Sequence, residues 1–273
     1  MHTNTKHDEQ DEQDVLAVSG LGHSYGDHVV LEGLDFTVRA GEFLSIVGPS
    51  GVGKTTLLQC LTGLCRPTSG EVSFEGKKVE SAPRGLAVVF QDYRNSLMPW
   101  LSVIDNVTLP LRSAKVSKAE RRKAGESALA EVGLSGMGDR YPWQLSGGMQ
   151  QRVAIARALA FKPRAIVMDE PFASVDAQTR ADLEDLVIGL KERLNITVLL
   201  VTHDIDEAVY LADRILVLSG KPGKVAALID VELPSPRDQI ATKLLPKFSA
   251  LRAEAYTLIR QGNKTPATTT AKV

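Results

Sequence analysis

The segment that most restricts the folds open to this chain runs from residue 48 to residue 55 and reads GPSGVGKT. It matches the pattern G-x-x-x-x-G-K-[ST] at each fixed position. Its glycines let the backbone curl so that successive N–H groups point at phosphate oxygens. Lys54 adds a positive charge beside the phosphates, and the Thr55 hydroxyl is a ligand for Mg²⁺. The segment therefore predicts a binding site for a nucleoside triphosphate, with an ordinary glycine turn as the minor alternative.

The residues on either side of this segment support that prediction. Phe43–Val47 is a short apolar run of the kind that forms a buried strand, and a helical pattern begins at Lys54. A phosphate held between them would lie at the N-terminus of the helix, where backbone N–H groups favour anions. We expect the nucleotide to be held by Gly48, Ser50, Gly51, Gly53, Lys54, Thr55 and Thr56.

A pair of acidic residues follows another apolar run, residues 165–168. Neighbouring side chains on extended backbone point in opposite directions. Asp169 is therefore expected to face Mg²⁺, and Glu170 the water that attacks the γ-phosphate. A carboxyl group among phosphates can have a raised pKa, which suits a general base. The alternative, two surface acids at a strand end, fits poorly because the apolar run leads directly into them.

Two polar residues end further apolar runs. His203 comes shortly after residues 197–201, and Gln91 follows residues 86–90. Ligands of parallel sheets bind at the carboxyl edge of the strands, so we expect His203 to bridge the γ-phosphate and the attacking water. The Gln91 amide could reach the metal or the water, and a purely solvated role fits the sequence equally well.

Short apolar runs alternate with helical patterns along most of the chain, which predicts an α/β fold with a mostly parallel sheet. The runs with the composition of buried strands are 43–47, 86–90, 165–168, 197–201 and 214–218. The helical patterns that follow them are 177–194 and 205–212. Residues 15–41 and 70–74 instead alternate with glycine turns, which predicts a smaller N-terminal antiparallel sheet.

The chain divides into four predicted parts. Residues 93–154 have almost no strand signal and contain the helical pattern 117–132 and the start of the pattern 147–160, so we interpret them as a helical subdomain inserted into the core. The other parts are a disordered N-terminal tail at 1–13, a core at 14–92 and 155–235, and a C-terminal helical segment with a loose tail at 236–273.

Composition excludes several classes of protein. The formal net charge of −1 gives no overall field for nucleic acid. No apolar run approaches the roughly 18 residues that span a bilayer, which predicts a soluble chain that reaches a membrane only through a partner. There is no secretory leader pattern, and Cys60 and Cys65 are too few for a disulfide framework. Their spacing is a poor zinc pattern, so we interpret both as small buried hydrophobic residues.

A second segment suited to phosphate, LSGGMQQR, covers residues 145–152 at the predicted start of a helix. With it, residues 15–220 resemble the ATPase subunit of ABC transporters. The matching elements, in order, are Tyr25 before the first core strand, GPSGVGKT, VVFQD, LSGGMQQR, RAIVMDEP, ASVD ending at Asp176, and His203. The departure is Val175, where the family usually has leucine, a conservative change beside a retained aspartate.

The resemblance implies a head-to-tail dimer with ATP and Mg²⁺ between the subunits. Ser146, Gly147 and Gly148 of one copy would close over the γ-phosphate bound by the other, with Asp176 nearby, and the metal ligands would be Thr55, Gln91 and Asp169. Tyr25 would stack on adenine, although an aromatic strand residue is more often core. The implied partners are a second copy, transmembrane permease subunits and, indirectly, a solute-binding protein, with the chain peripheral on the cytoplasmic face of the membrane.

Within the family, the chain is most similar to the nitrate, sulfonate and taurine importer group. That likeness rests on residues 98–107, 141–146 and 176–180. Alternatives are a soluble relative outside transport, an exporter ATPase and, more distantly, a phosphotransferase, which would lack LSGGMQQR. Trp100 and Leu101 would form a docking surface for a transmembrane subunit, or else Trp100 is core of the helical subdomain.

Overall fold

The computed structural model describes residues 14–92, 96–113 and 116–262. The strands, numbered in chain order, are β1 Asp14–Tyr25, β2 His28–Arg39, β3 Phe43–Val47, β4 Ser69–Phe74, β5 Lys77–Lys78, β6 Leu86–Val89, β7 Ala165–Asp169, β8 Thr197–Val201, β9 Arg214–Ser219 and β10 Lys224–Asp230. The α-helices are α1 Lys54–Leu61, α2 Val103–Val107, α3 Lys118–Glu131, α4 Gly147–Leu159, α5 Ala177–Leu194, α6 Ile205–Leu211 and α7 Pro246–Gly262. Short 3₁₀ helices cover Leu109–Ser113 and Pro142–Gln144.

The strands form two sheets. The larger has the order β10-β9-β3-β8-β7-β6, and its strands are parallel except for β10, which pairs antiparallel with β9. The smaller has the order β2-β1-β4-β5 and is antiparallel throughout. The predicted fold class is therefore confirmed. The antiparallel edge strand β10 was not among the predicted strands, although residues 225–229 form an apolar run; its alternating exposed and half-buried residues reflect its place at the sheet edge.

Alternate residues of the central strands pack on opposite faces of the parallel sheet. Phe43 and Val47 of β3 join a core shared with the helices α2 to α7, whereas Leu44 and Ile46 join a core shared with α1 and the antiparallel sheet. Because both faces are covered, every residue of β3 is buried. This explains why the central strands read as apolar runs rather than as alternating patterns.

Helix ends follow capping side chains. Helix α5 begins after Asp176, whose carboxylate accepts from the Thr179 amide, and ends where Asn195 adopts a left-handed conformation with φ 48°. Its bounds equal the predicted 177–194. Helix α3 begins after Ser117, which forms a reciprocal capping box with Glu120.

The region proposed as a helical subdomain contains α2, α3 and both 3₁₀ helices, and its described residues, 96–113 and 116–154, form no strand. Helix α4 crosses the proposed boundary at residue 154, so it connects this region rigidly to the core. The proposed tail at 1–13 and the last eleven residues of the chain lie outside the described residues. Among the helices that the structure describes, none is long and apolar enough to cross a bilayer.

Candidate nucleotide site

The loop between β3 and α1 contains the segment GPSGVGKT and has the curled backbone that a phosphate-binding turn needs. Gly53 has φ 104°, a conformation that residues with a Cβ avoid, and an added Cβ would lie 2.6 Å from Leu31 Cδ2. The Lys54 ammonium is buried and donates to the Gly48 carbonyl at 2.8 Å and to the Pro49 carbonyl at 3.3 Å. The side chain of Lys54 therefore connects the end of the loop to its beginning, and these hydrogen bonds stabilise the curled backbone.

The remaining hydroxyl groups of the loop differ in exposure. Ser50 and Thr55 are exposed, and Thr55 lies in the first turn of α1. Thr56 is buried beneath that turn. The exposed hydroxyls and the free N–H groups of the helix start therefore face the space in which phosphate oxygens would be held.

Charged groups at the end of β7 face Lys54. Burial lowers the pKa of Lys54, while the carboxylates of Glu170 and Asp169 act in the opposite direction. The pKa of Asp169 is raised by burial and by Glu170, and Lys54 opposes that rise. Two carboxylates thus share one lysine, and the cluster has an excess of negative charge that favours a cation.

The donor atoms at this edge suit a magnesium ion. They are the Thr55 hydroxyl, the Asp169 carboxylate and the Gln91 amide oxygen, all of them the hard oxygen ligands that Mg²⁺ prefers. A divalent cation would also offset the negative charge around Asp169.

Three polar side chains meet at the carboxyl edge of neighbouring strands. Glu170 Oε2 lies 3.0 Å from His203 Nδ1 and accepts a hydrogen bond of 3.2 Å from Gln91 Nε2. They come together because β6, β7 and β8 are adjacent and parallel, so their carboxyl ends share one edge. Gln91 is therefore more than a solvated side chain, although its partner is a carboxylate rather than a metal ion or water.

The backbone of Glu170 departs from the geometry used to predict its direction. It has φ 41°, in the left-handed region, and its N–H donates to the Val201 carbonyl at 2.8 Å. The rule that neighbouring side chains point in opposite directions therefore applies to Asp169, which is on extended backbone, but not to Glu170. A left-handed glutamate costs about 1 kcal/mol, and the hydrogen bond to β8 offsets this while aiming the carboxylate at His203.

The signature turn, Ser146–Gly148, begins helix α4. The Ser146 hydroxyl accepts from the Met149 N–H at 3.3 Å. A Cβ on Gly148 would lie 2.4 Å from Thr179 Cγ2, so the glycine permits α4 and α5 to touch. Thr179 also donates to Asp176 Oδ2 through its hydroxyl at 2.7 Å. These hydrogen bonds, led by that from the Thr179 N–H, lower the pKa of Asp176 and keep it ionised.

Within the described part of one chain, the signature turn and the loop at 48–55 have no polar contact with each other. Among residues 14–92, 96–113 and 116–262, no hydrogen bond or ion pair links the signature turn to the loop at 48–55. The nucleotide site of a single copy therefore lacks polar contact with its own signature turn.

The predicted aromatic contacts are exposed. The Tyr25 side chain is 54% accessible, and its hydroxyl lies 3.4 Å from Gln59 Oε1. Trp100 is 71% accessible. The alternative of a core position is wrong for both residues.

A further pair of aromatic residues, Tyr141 and Trp143, follows a turn that is hydrogen-bonded to the segment just after Trp100. Their rings stack with centroids 6.0 Å apart, and Trp143 is 71% accessible. The Val103 N–H donates to the Arg140 carbonyl at 2.7 Å, which holds the two turns together. We call Trp100, Tyr141 and Trp143 the aromatic patch. The sequence of the second turn, a proline between two aromatic residues, contributes to the resemblance to the importer group but does not by itself predict exposure.

A buried carboxyl group, that of Glu207, supports the loop that carries His203. Glu207 Oε2 accepts a hydrogen bond of 2.7 Å from the Thr202 hydroxyl, and Thr202 Oγ1 in turn accepts from the Asp204 N–H at 3.0 Å. The residues on both sides of His203 are therefore fixed to the start of α6.

The pKa of Glu207 is raised to about 7. Burial is the main cause, and the nearby carboxylates of Asp204 and Glu184 add to it. The hydrogen bond from Thr202 and the charge of Arg180, 3.6 Å from Glu207 Oε1, act in the opposite direction.

We expect Glu207→Gln to reduce the pH dependence of stability. In the unfolded chain a glutamate ionises near pH 4.5, whereas in the folded chain this one holds its proton to about pH 7. Its contribution is therefore fully present below pH 4.5 and is lost as the pH rises to 7, a change on the order of 3 kcal/mol. Urea unfolding from pH 5 to pH 8 measures it. Exposed Glu254→Gln is the control, and equal pH dependence in all three proteins would contradict the assignment.

Comparisons with known proteins agree with this geometry. A family model described as ABC transporter matches residues 31–173. An uncharacterized ABC transporter ATP-binding protein of Methanocaldococcus jannaschii is 46% identical over 215 residues, 79% of this chain and 80% of that protein. A bicarbonate transport ATP-binding protein of Synechococcus elongatus is 40% identical over 90% of this chain and 38% of its own length. A nitrate import ATP-binding protein of the same organism is 38% identical over 86% of this chain and 36% of its own length.

Solved structures show the same fold. The cbiO1 protein of Clostridium perfringens, part of the transporter complex cbiONQ, has a TM-score of 0.74 and 31% identity, covering 81% of this chain and 90% of that one. The ATP-binding cassette MJ0796, in a dimeric post-hydrolysis state bound to ADP and Pi, has a TM-score of 0.68 and 34% identity, covering 80% and 99%. The chain belongs to the ABC transporter family, as an ATP-binding cassette that hydrolyses ATP.

Proposed function

We propose that this chain is the ATPase subunit of an importer for a small solute such as nitrate, bicarbonate, a sulfonate or taurine. It would act as a head-to-tail dimer on the cytoplasmic face of the membrane, beneath separate permease subunits that receive solute from a binding protein. The observation that carries the dimer is the separation of the signature turn from the phosphate loop of its own chain. The importer assignment is supported by the bicarbonate and nitrate relatives.

The nucleotide would be bound mainly by the loop at 48–56. Backbone N–H groups and Lys54 hold the phosphates, and the exposed Tyr25 ring covers the adenine. Thr55, Asp169 and Gln91 would hold Mg²⁺, which neutralises charge on the phosphates when it is bound.

Glu170 would act as the general base and His203 as its positioning partner. In the structure the Glu170 carboxylate is engaged by both His203 and Gln91. Both contacts are made to Oε2, so Oε1 is the oxygen that we assign to accept the proton from water. His203 Nδ1 then keeps the carboxylate oriented, and its exposed ring reaches the γ-phosphate.

The second copy would complete each site. In a two-fold pair, the Ser146 hydroxyl and the N–H groups of Gly147 and Gly148 are brought to the γ-phosphate held by the partner, beside Asp176. A symmetric pair then contains two whole sites, and hydrolysis removes the phosphate that links them.

The aromatic patch would receive a short helix of the permease. Exposed tryptophans are unusual on a surface that stays in water, and large aromatic side chains supply most of the binding energy at protein interfaces. A groove of about 360 Å³ beside Trp143 includes Asp139 and Arg140, so it can also bind a polar helix end.

Uptake by cells tests both the cargo and the docking surface. We expect deletion of this chain to abolish uptake of one of the four solutes, and the wild-type chain to restore it. The double variant Trp100→Ala, Trp143→Ala should keep the ATPase rate of the purified chain but restore less than about a tenth of the uptake. The control is Tyr256→Ala, an exposed aromatic on α7.

The outcomes separate the two proposals. Unchanged uptake of all four solutes after deletion would overturn the cargo assignment. Full restoration of uptake by the double variant would overturn the docking surface while leaving the cargo assignment in place.

A further inference from the structure

A histidine and both cysteines of the chain lie together at the C-terminal end of α1, the helix that follows the loop at 48–55. His23 is on β1, Cys60 near the end of α1 and Cys65 just beyond that helix, and their ligand atoms all lie within 4.8 Å of one another. We propose that these three residues form a binding site for a borderline-soft divalent metal ion, Zn²⁺ in particular.

The distance between the His23 and Cys65 ligand atoms fits tetrahedral zinc. His23 Nε2 lies 3.5 Å from Cys65 Sγ. With Zn–S near 2.3 Å and Zn–N near 2.0 Å, tetrahedral angles place N and S about 3.6 Å apart. The two atoms already have the separation that a shared metal ion requires.

The hydrogen bonding of the histidine favours ligation through Nε2. His23 Nδ1 lies 3.1 Å from the Arg66 carbonyl, which can only accept, so Nδ1 carries the proton. Nε2 is then unprotonated, and because Cys65 Sγ lies 3.6 Å from Nδ1 and 3.5 Å from Nε2, the imidazole ring must turn to direct the Nε2 lone pair at a metal ion. Metal-binding histidines commonly donate their other N–H to a carbonyl in this way, which fixes the tautomer and the ring.

Burial shows that the cluster is more than a surface coincidence. His23 is 6% accessible and Cys60 is fully buried, whereas Cys65 is partly exposed and opens the cluster to solvent. Three protein ligands with one side reached by water match a zinc ion that keeps a fourth position for water. The sequence predicted that both cysteines are small buried hydrophobic residues. That prediction does not explain why the imidazole of His23 is buried beside them.

The Cys60 thiol is protonated before metal binds. Burial and the neighbouring Cys65 raise the pKa of Cys60 to about 12. Thiolates are the metal ligands, so binding must release protons and should tighten as the pH rises.

Cobalt absorption on the full-length, reduced chain tests the site. Cobalt bound to thiolate shows a near-ultraviolet charge-transfer band that oxygen ligands do not give, so Co²⁺ in the magnesium site does not interfere. The chain has only 2 cysteines, so any such band arises from Cys60 and Cys65. We expect the band to saturate at one ion per chain and to disappear when Zn²⁺ is added.

Variants make the test specific. Cys65→Ser, at the partly exposed position, should weaken zinc binding at least about 100-fold in competition with a chromophoric chelator, as should His23→Gln. His28→Gln, an exposed histidine on β2, is the matched control and should bind as the wild type does. Absence of the band in the reduced wild type, or unchanged zinc affinity in a folded Cys65→Ser chain, would overturn the proposal.

Discussion

Replacing Glu170 with glutamine is expected to leave ATP binding unchanged and to lower the rate of hydrolysis at least about 100-fold. Loss of a general base typically costs between about 10² and 10⁴ in rate. Glutamine is nearly isosteric and can still hydrogen-bond with Gln91 and His203, so the geometry of the edge should persist. Binding is measured with a fluorescent ATP analogue, and turnover by phosphate release.

The chain offers a control with the same chemistry and the same backbone conformation. Glu75 has φ 48°, close to the 41° of Glu170, but it pairs with Arg164 away from the nucleotide loop. Glu75→Gln should hydrolyse ATP as the wild type does. Near-normal turnover by Glu170→Gln would remove Glu170 from the role of base.

Mixing two inactive variants is expected to restore activity. Ser146→Arg should block the signature turn and lower turnover at least about 100-fold without weakening ATP binding to the monomer. Lys54→Ala should lose phosphate binding. In a mixed dimer, the loop of the first variant meets the signature turn of the second, so one site is whole. An equal mixture should recover up to about a quarter of wild-type activity, because half of the dimers are mixed and each has one of two sites.

A substitution at a second helix cap, Ser117, serves as the control. It distinguishes an effect of Ser146→Arg on the dimer contact from an effect of losing the helix cap. Ser117 begins α3 as Ser146 begins α4, with its hydroxyl accepting from an N–H of the first turn. Either substitution should cost about 1 kcal/mol of stability, but Ser117→Arg should retain hydrolysis. If the mixture stays inactive while mixed dimers are shown to form, the composite site is wrong.

The polar residues at the carboxyl edge of the parallel sheet could be predicted, because the sequence of each central strand shows where that strand ends. Apolar runs buried on both faces end abruptly at a polar residue, and parallel neighbours bring those ends together. This is why Gln91, Glu170 and His203 meet although the last lies 112 positions after the first. Helix α5 agrees with the helical pattern predicted from 177 to about 194, and in the structure a capping aspartate and a left-handed asparagine mark its ends.

The features that could not be predicted from the sequence depend on contacts between different strands and helices. The left-handed backbone of Glu170 arises from a hydrogen bond to a different strand, and the need for glycine at position 148 from the approach of Thr179. The exposure of Trp100 could not be read from a pattern that suits core and surface equally. The cluster of His23 with the cysteines could not be predicted, because the histidine is 37 residues before Cys60, far outside any metal-binding spacing.

The close packing of Gly148 against Thr179 has a consequence for communication between the two sites of a dimer. Thr179 is held by Asp176, only six residues beyond Glu170. If a bound nucleotide moves the signature turn of one subunit, the segment that connects this turn to Glu170 of the same subunit should move with it. Occupation of one site should favour assembly of the other, so that turnover rises sigmoidally with ATP concentration, with a Hill coefficient above one and at most about two.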